Sequence, residues 1–194
     1  MRTRLILALI AAPLWAQTLS QGEREFAMSS LHASRKMFLD AISGLSSAQW
    51  KFKPAPDRWS IADIAEHVVL ADDLKPVQEM LKSPAAAPGT VDRKQDAKWL
   101  EKMVDRTNKR KAEPAMQPKG RWAAPAAAAA EFRQRRDRMI EYVETTNDAL
   151  RAHATGSGEN AFDAYQFIVM LAGHTERHVA QINEVKADAK YPKK

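Results

Sequence analysis

The sequence predicts an all-α fold, an antiparallel four-helix bundle with an extra charged helix between helices two and three. Two observations carry the prediction. Apolar residues recur at intervals near three and four along four long stretches, which gives each stretch one stripe to bury. No run alternates with period two, and no Asn-Gly or Asp-Gly hairpin turn occurs. Four amphipathic stripes of this length are buried by packing the helices on one another.

Residues 1–20, MRTRLILALIAAPLWAQTLS, stand apart from the bundle. Arg2 and Arg4 are followed by an apolar run from Leu5 to Trp15 and then by Ala16, the pattern of a secretory signal peptide. The run is shorter than the roughly 20 apolar residues a bilayer span requires, and it contains Pro13. The expectation is an exported bacterial protein, periplasmic or secreted, with no stable membrane anchor after cleavage. The domain is expected over residues 21–188, with a basic tail over 189–194.

Helix one is expected from Ser20 to Ser43, burying Phe26, Leu31, Met37, Phe38 and Ile42. A turn from Gly44 to Trp59 follows. Ser60 begins helix two with Asp63 as its capping-box partner, Ile61, Ile64, Ala65 and Val68 share a face, and Pro76 should kink or shorten it. Residues 83–90, SPAAAPGT, break the chain. The charged helical stretch runs from about Val91 to Lys111, anchored by Trp99, Leu100 and Met103. After an irregular connection, helix three starts at Pro125 and runs to Ala152, with Phe132, Met139, Ile140, Val143 and Leu150 as core positions. Helix four spans Ala161 to Ala187.

The chain of 194 residues suits one domain, and its 45% hydrophobic and 28% charged content is that of a globular protein. It has no cysteine, which excludes disulfides, thiolate metal sites, iron–sulfur clusters and a cysteine nucleophile. Any metal must be held by His, Asp or Glu. The net charge of +6 invites a nucleic-acid partner, but two of those charges belong to Arg2 and Arg4. Arg133, Arg135, Arg136 and Arg138 spread around their helix, where a binding stripe would need one face. No nucleic acid is expected. Phosphate-binding loops, dinucleotide fingerprints and nucleophile elbows are absent too.

Of the five histidines, His174 and His178 lie four residues apart in the sector of helix four that carries Phe167, Leu171, Ile182 and Val185. Two imidazoles at that spacing can reach one divalent cation. The pair alone fits equally well with hydrogen-bonded bundle residues. Burial tips the balance, because two adjacent imidazoles in an apolar stripe are costly to leave unpaired. His67, beside the stripe of helix two, is the candidate third ligand, since an antiparallel helix four meets it at similar depth. His32 reads as solvated and His153 as a helix C-terminal cap. Glu66, Glu176 or Gln181 is a candidate supporting residue or proton carrier. Gln181 flanks the histidine sector, whereas Glu66 and Glu176 point away from it and read as solvated charges, and Arg177 reads as a surface residue or ion-pair partner. Trp59, ahead of Ser60, closes the end of the bundle; packing is the default for Trp50, Trp99 and Trp122, with a substrate cleft as the alternative.

Trp59-Ser60-Ile61, Ile64-Ala65-Glu66-His67-Val68 and the stretch His174-Thr175-Glu176-Arg177-His178-Val179-Ala180-Gln181-Ile182 together resemble the DinB-like four-helix bundle proteins. The likeness extends from about Glu23 to Val185. It implies that His67, His174 and His178 bind a divalent metal, with water completing the coordination. It also implies a choice among activities, because family members include thiol-dependent transferases and isomerases. Three neutral imidazoles and an open position form a catalytic rather than a structural zinc arrangement, and nickel, iron or manganese suit the same nitrogens. The expected function is that of an exported metal-dependent hydrolase or thiol transferase acting on a small-molecule substrate, with a homodimer as a candidate assembly. The alternative is a metal- or ligand-binding bundle without catalysis.

Overall fold

The computed structural model describes residues 18–107 and 111–193. The expected signal peptide therefore lies almost wholly outside the described residues. At the described start, Leu19 is buried and Ser20 forms a reciprocal capping box with Glu23, so the fold takes in residues ahead of the expected boundary at 21. It also takes in the tail, where Tyr191 meets Phe52 edge-on and the Pro192 carbonyl accepts from Gln49. Among the described residues, no helix is long and apolar enough to cross a membrane.

Four long or central helices make the bundle: α1 (Gln21–Ile42), α3 (Ile61–Ala71), α6 (Pro125–Thr145) and α7 (Ala164–Lys186). Shorter helices α2 (Ser47–Lys51), α4 (Lys75–Leu81) and α5 (Asp96–Val104) lie in the connections. The packed pairs are α1 with α6 and α7, and α3 with α6 and α7, so α1 sits diagonally from α3, and α6 from α7. Arg24 reaches the Val143 and Thr146 carbonyls while Phe38 meets Phe132, so α1 and α6 are antiparallel. Arg58, just before α3, pairs with Glu184 late in α7 while His67 meets His174, so these two are antiparallel as well. Tyr165 and Lys186 of α7 bond the Glu23 and Ala41 carbonyls of α1, which makes that pair parallel. The long connection from α3 to α6 makes those two parallel also, with Asp72 on Arg136 and Glu66 on the chain just ahead of α6. Each bundle helix thus has one antiparallel and one parallel neighbour.

Several boundaries and faces differ from expectation. Phe26 and Met37 are exposed, at 38% and 42%. The buried stripe of α1 keeps the expected Leu31, Phe38 and Ile42 and adds the small residues Ala27, Ser34 and Ala41 in place of Phe26 and Met37. The expected turn from Gly44 to Trp59 contains α2, announced by a capping box between Ser46 and Gln49. Helix two begins at the Ser60–Asp63 capping box as predicted, and of the two outcomes expected near Pro76 it takes the shortened one, stopping at Ala71. Pro76 instead falls in the first turn of α4, where its missing N–H has no intrahelical partner to lose. The charged stretch is a 3-10 turn at Arg93–Gln95 continued by α5, which ends at Val104, short of Lys111.

Helix α6 ends at Thr145 rather than Ala152, since Thr146 bonds the Asp148 amide and Asp148 accepts from Tyr142 across a turn. Its expected core positions, and Leu150 beyond it, are buried. Helix α7 begins at Ala164, and the residues ahead of it pair Ala154–Thr155 with Phe162–Asp163 in a two-residue antiparallel ladder. Strands this short carry no alternation for a sequence pattern to show. Gly156, at φ 80, makes the turn possible, because a Cβ there would lie 2.4 Å from the Asn160 carbonyl oxygen. His153 caps nothing; its Nδ1 bonds the Ser83 carbonyl at 2.9 Å and ties the connection to the ladder.

The core has two apolar clusters, one around Phe38, Ile64, Phe132 and Ile182, the other around Leu31, Met139, Leu150 and Ile168. Between them lies a polar layer. Arg136 of α6, fully buried, donates to the Asp72 carboxylate (2.9 Å), the Leu31 carbonyl (3.0 Å), Ser34 Oγ (2.7 Å) and Thr175 Oγ1 (2.9 Å). One guanidinium therefore touches all four bundle helices, a core role that the spread of the four arginines around their helix does not single out. Its neighbours follow the expected scatter, with Arg133 and Arg138 exposed and Arg135 paired with Glu131 and Asp73. Thr175, on the far side of this layer, directly follows His174.

Candidate metal centre

The Ser60–Asp63 capping box fixes the start of α3, and the Asp163–Gln166 box fixes the start of α7. Each satisfies N–H groups that a helix leaves unpaired. With both helices pinned and antiparallel, His67 meets His174 and His178. His174 Nε2 lies 3.1 Å from His67 Nε2 and 3.1 Å from His178 Nε2. All three ligand nitrogens lie within 4.8 Å of one another. His67 and His178 are buried, and His174 is half-buried. Trp59 packs on His67 with ring centroids 5.1 Å apart, so the residue expected to close this end of the bundle also walls the histidines.

Hydrogen bonds on the far side of two rings fix their tautomers. His67 Nδ1 lies 2.9 Å from the Met116 carbonyl oxygen, and His178 Nδ1 lies 2.9 Å from Gln181 Oε1. Each acceptor holds a proton on Nδ1 and leaves the Nε2 lone pair bare, the support given to ligating histidines. His174 Nε2 can donate to at most one of its two neighbours, so lone pairs are left converging on each other. A proton is a poor remedy. Burial holds all three imidazoles below the usual range: His67 is lowered, His174 is lowered well below it with His178 and His67 adding to the effect, and His178 is pushed down to about 3. A divalent cation is the better fit. Two nitrogens each about 2.0–2.1 Å from a tetrahedral ion stand roughly 3.3 Å apart, close to the spacing found.

Glu66 and Glu176 differ from their expected solvated state. Glu66 does point away from the cluster, yet it is buried, and the segment ahead of α6 covers it. Its carboxylate accepts from the Lys119 amide (2.7 Å), the Arg121 amide (2.8 Å) and the Arg121 guanidinium. Burial opposes ionisation, but these bonds outweigh it and hold Glu66 below the usual carboxylate range. Glu176 is half-buried, and burial raises it. Arg177 is half-buried, its carbonyl accepts from Arg106, and its charge acts on His174 and His178. Gln181 flanks the site as expected. Arg106, which the sequence did not single out, grips Glu184 with two bonds of 2.9 Å and reaches Gln181.

Helix α5 packs against α7 at Gly173, the residue before His174. A Cβ there would lie 2.7 Å from the Leu100 carbonyl oxygen and 3.0 Å from Met103 Cβ. Glycine lets the two backbones meet beside the histidines, a signal the sequence carried but only the fold makes readable.

A family model described as the DinB superfamily matches residues 30–182. YuaE of Bacillus subtilis (strain 168), an uncharacterized protein, is 26% identical over 171 residues, covering 82% of this chain and 96% of its own. Among solved structures, YfiT from Bacillus subtilis matches with a TM-score of 0.55, covering 90% of this chain and 92% of its own at 12% identity. YfiT is described as a probable metal-dependent hydrolase with an unusual four-helix bundle topology. At that identity the likeness is one of fold.

Proposed function

The chain belongs to the DinB superfamily, and from that premise we propose that it is an exported enzyme that binds one divalent metal ion through His67, His174 and His178 and acts on a small molecule. Hydrolysis is the favoured reaction and thiol transfer the second, because low-molecular-weight thiols are mainly cytoplasmic whereas residues 1–20 have the pattern of an export signal. The observation that carries the reading is the convergence of three Nε2 atoms, two of them stripped of protons by Met116 O and Gln181 Oε1.

A bound ion would supply a Lewis-acidic position able to acidify water or a thiol, or to polarise a carbonyl. The chain supplies the rest. His67 and His178 are held in the ligating tautomer, and Trp59 shields the His67 ring. Of the three, His174 keeps the most exposure to solvent, and substrate would approach from that side. Zinc, nickel, iron or manganese suit three neutral imidazoles.

The test is metal analysis of the purified protein beside His67→Ala and His174→Ala, followed by turnover of small esters and electrophiles by the loaded protein. One equivalent in the parent and loss in both variants supports the centre. Absence of metal after reconstitution overturns it. A loaded protein that turns over none of these substrates favours the binding module without catalysis.

A further inference from the structure

We propose that Glu66 is a positioning residue for the metal centre, acting through the segment 116–121 to hold the Met116 carbonyl on His67. The inference rests on the metal reading above and goes beyond the three ligands.

Glu66 and His67 are adjacent in α3 and so project about 100° apart around the helix. Both reach the same connection, His67 at the end of a 3-10 turn over Pro114–Met116 and Glu66 in the irregular chain that follows it. His67 Nδ1 meets the Met116 carbonyl, while the Glu66 carboxylate takes the amides of Lys119 and Arg121 a few residues on. Between these ties the chain passes Pro118, which has no amide to donate, and Gly120, at φ 74. The next fixed point is the Trp122 carbonyl, bonded to Trp50 Nε1 at 3.3 Å. Residues 117–124 belong to no helix or strand. Side chains of α3 therefore do the work that a ladder would do elsewhere.

The consequence for the centre is specific. A neutral imidazole has two tautomers, and the acceptor on Nδ1 decides which nitrogen carries the proton. If the segment is released, the Met116 carbonyl leaves, the His67 proton is free to occupy Nε2, and the ligand atom is blocked. His178 is set by Gln181 on its own helix and does not depend on the segment. Loss of Glu66 should thus affect one histidine and spare the other.

The experiment uses the full chain with Glu66→Gln and Arg121→Ala. Glutamine keeps the shape but has one acceptor oxygen where the carboxylate has two. Arg121 is an exposed residue of the segment, and its removal takes away one bond while leaving the helices untouched. Zinc affinity is read by competition titration, and the tautomer of each metal-free histidine by the nitrogen shifts of its ring. The expected result is an affinity loss of about 10–100-fold for Glu66→Gln and a smaller one for Arg121→Ala. His67 should shift towards the Nε2–H form in both, with His178 unchanged. A purely structural role would lower thermal stability without this selectivity. Parent affinity together with an unchanged His67 tautomer in Glu66→Gln overturns the proposal. Failure of the parent itself to bind zinc overturns the metal reading instead, and the tautomer measurement still decides the role of Glu66.

Discussion

Arg136 and Asp72 form an ion pair from which solvent is shut out, with side chains 0% and 2% exposed and Nη2 2.9 Å from Oδ1. The pair lies in the polar layer between the two apolar clusters and joins α6 to the end of α3. Removing one member leaves the other charged and buried, which costs about 3–5 kcal/mol, whereas replacing both by apolar groups of similar volume is often neutral. Arg136→Met is therefore expected to destabilise by that amount in denaturant unfolding. Arg136→Met with Asp72→Leu should recover a large part of the loss. A single variant within about 1 kcal/mol of the parent would contradict the assignment.

The same pair shows where the sequence was readable and where it was not. The histidines are legible because His174 and His178 share a buried stripe and His67 lies beside the stripe of a helix whose start the Ser60–Asp63 box marks. The capping box at Asp163, by contrast, goes unread, and helix four is expected from Ala161. A helical wheel reports the face a residue takes, but not what packs on it. Glu66 points away from the histidines as the wheel requires, yet the chain ahead of α6 covers that face. Arg136 sits in a stripe with Phe132, Met139 and Val143, and its charge hides the fact that the stripe needs a polar residue there to answer Asp72, Ser34 and Thr175. The parallel pairing of α3 with α6 follows from a long crossover whose path no local pattern encodes.

Gly173→Ala tests the close approach of α5 to α7. The added methyl meets a backbone oxygen at 2.7 Å, so relief requires a helix to move. Overpacking of this kind costs about 1–3 kcal/mol, more than the helix propensity gained from alanine. The expected result is a lower denaturation midpoint together with weaker metal binding, since His174 is the next residue. An increase in stability would show that α5 does not pack there in solution.

Stability of the metal-free protein should fall with acid below the ordinary histidine pKa. His67, His174 and His178 all have folded pKa values below the ordinary imidazole value of about 6.5, with His178 at about 3. Between the unfolded and folded values the unfolded chain binds more protons, so unfolding becomes easier as pH drops. The contribution is fully present above about pH 6.5 and declines from there towards pH 3, by an amount on the order of a few kcal/mol. His178→Gln removes one titrating group and should flatten the curve between pH 6.5 and 4, measured as unfolding free energy against pH. An equal slope in parent and variant would show that His178 is not held neutral by the fold.

Metal should stabilise the fold by mass action, because the folded chain brings together three nitrogens that the unfolded chain keeps apart. At a free metal concentration about 100 times Kd the gain is about 2.7 kcal/mol, which for a chain of this length raises Tm by roughly 5–10 °C. The shift is expected in the parent and in His32→Ala and His153→Ala, since His32 is exposed and His153 is occupied with the Ser83 carbonyl. It should be abolished in His174→Ala, whose Nε2 lies between the other two, and strongly reduced in His67→Ala and His178→Ala. Acid should remove the shift in the parent as well, because protons compete with the ion for the same nitrogens. A thermal shift that survives in all three cluster variants would place the metal elsewhere on the chain.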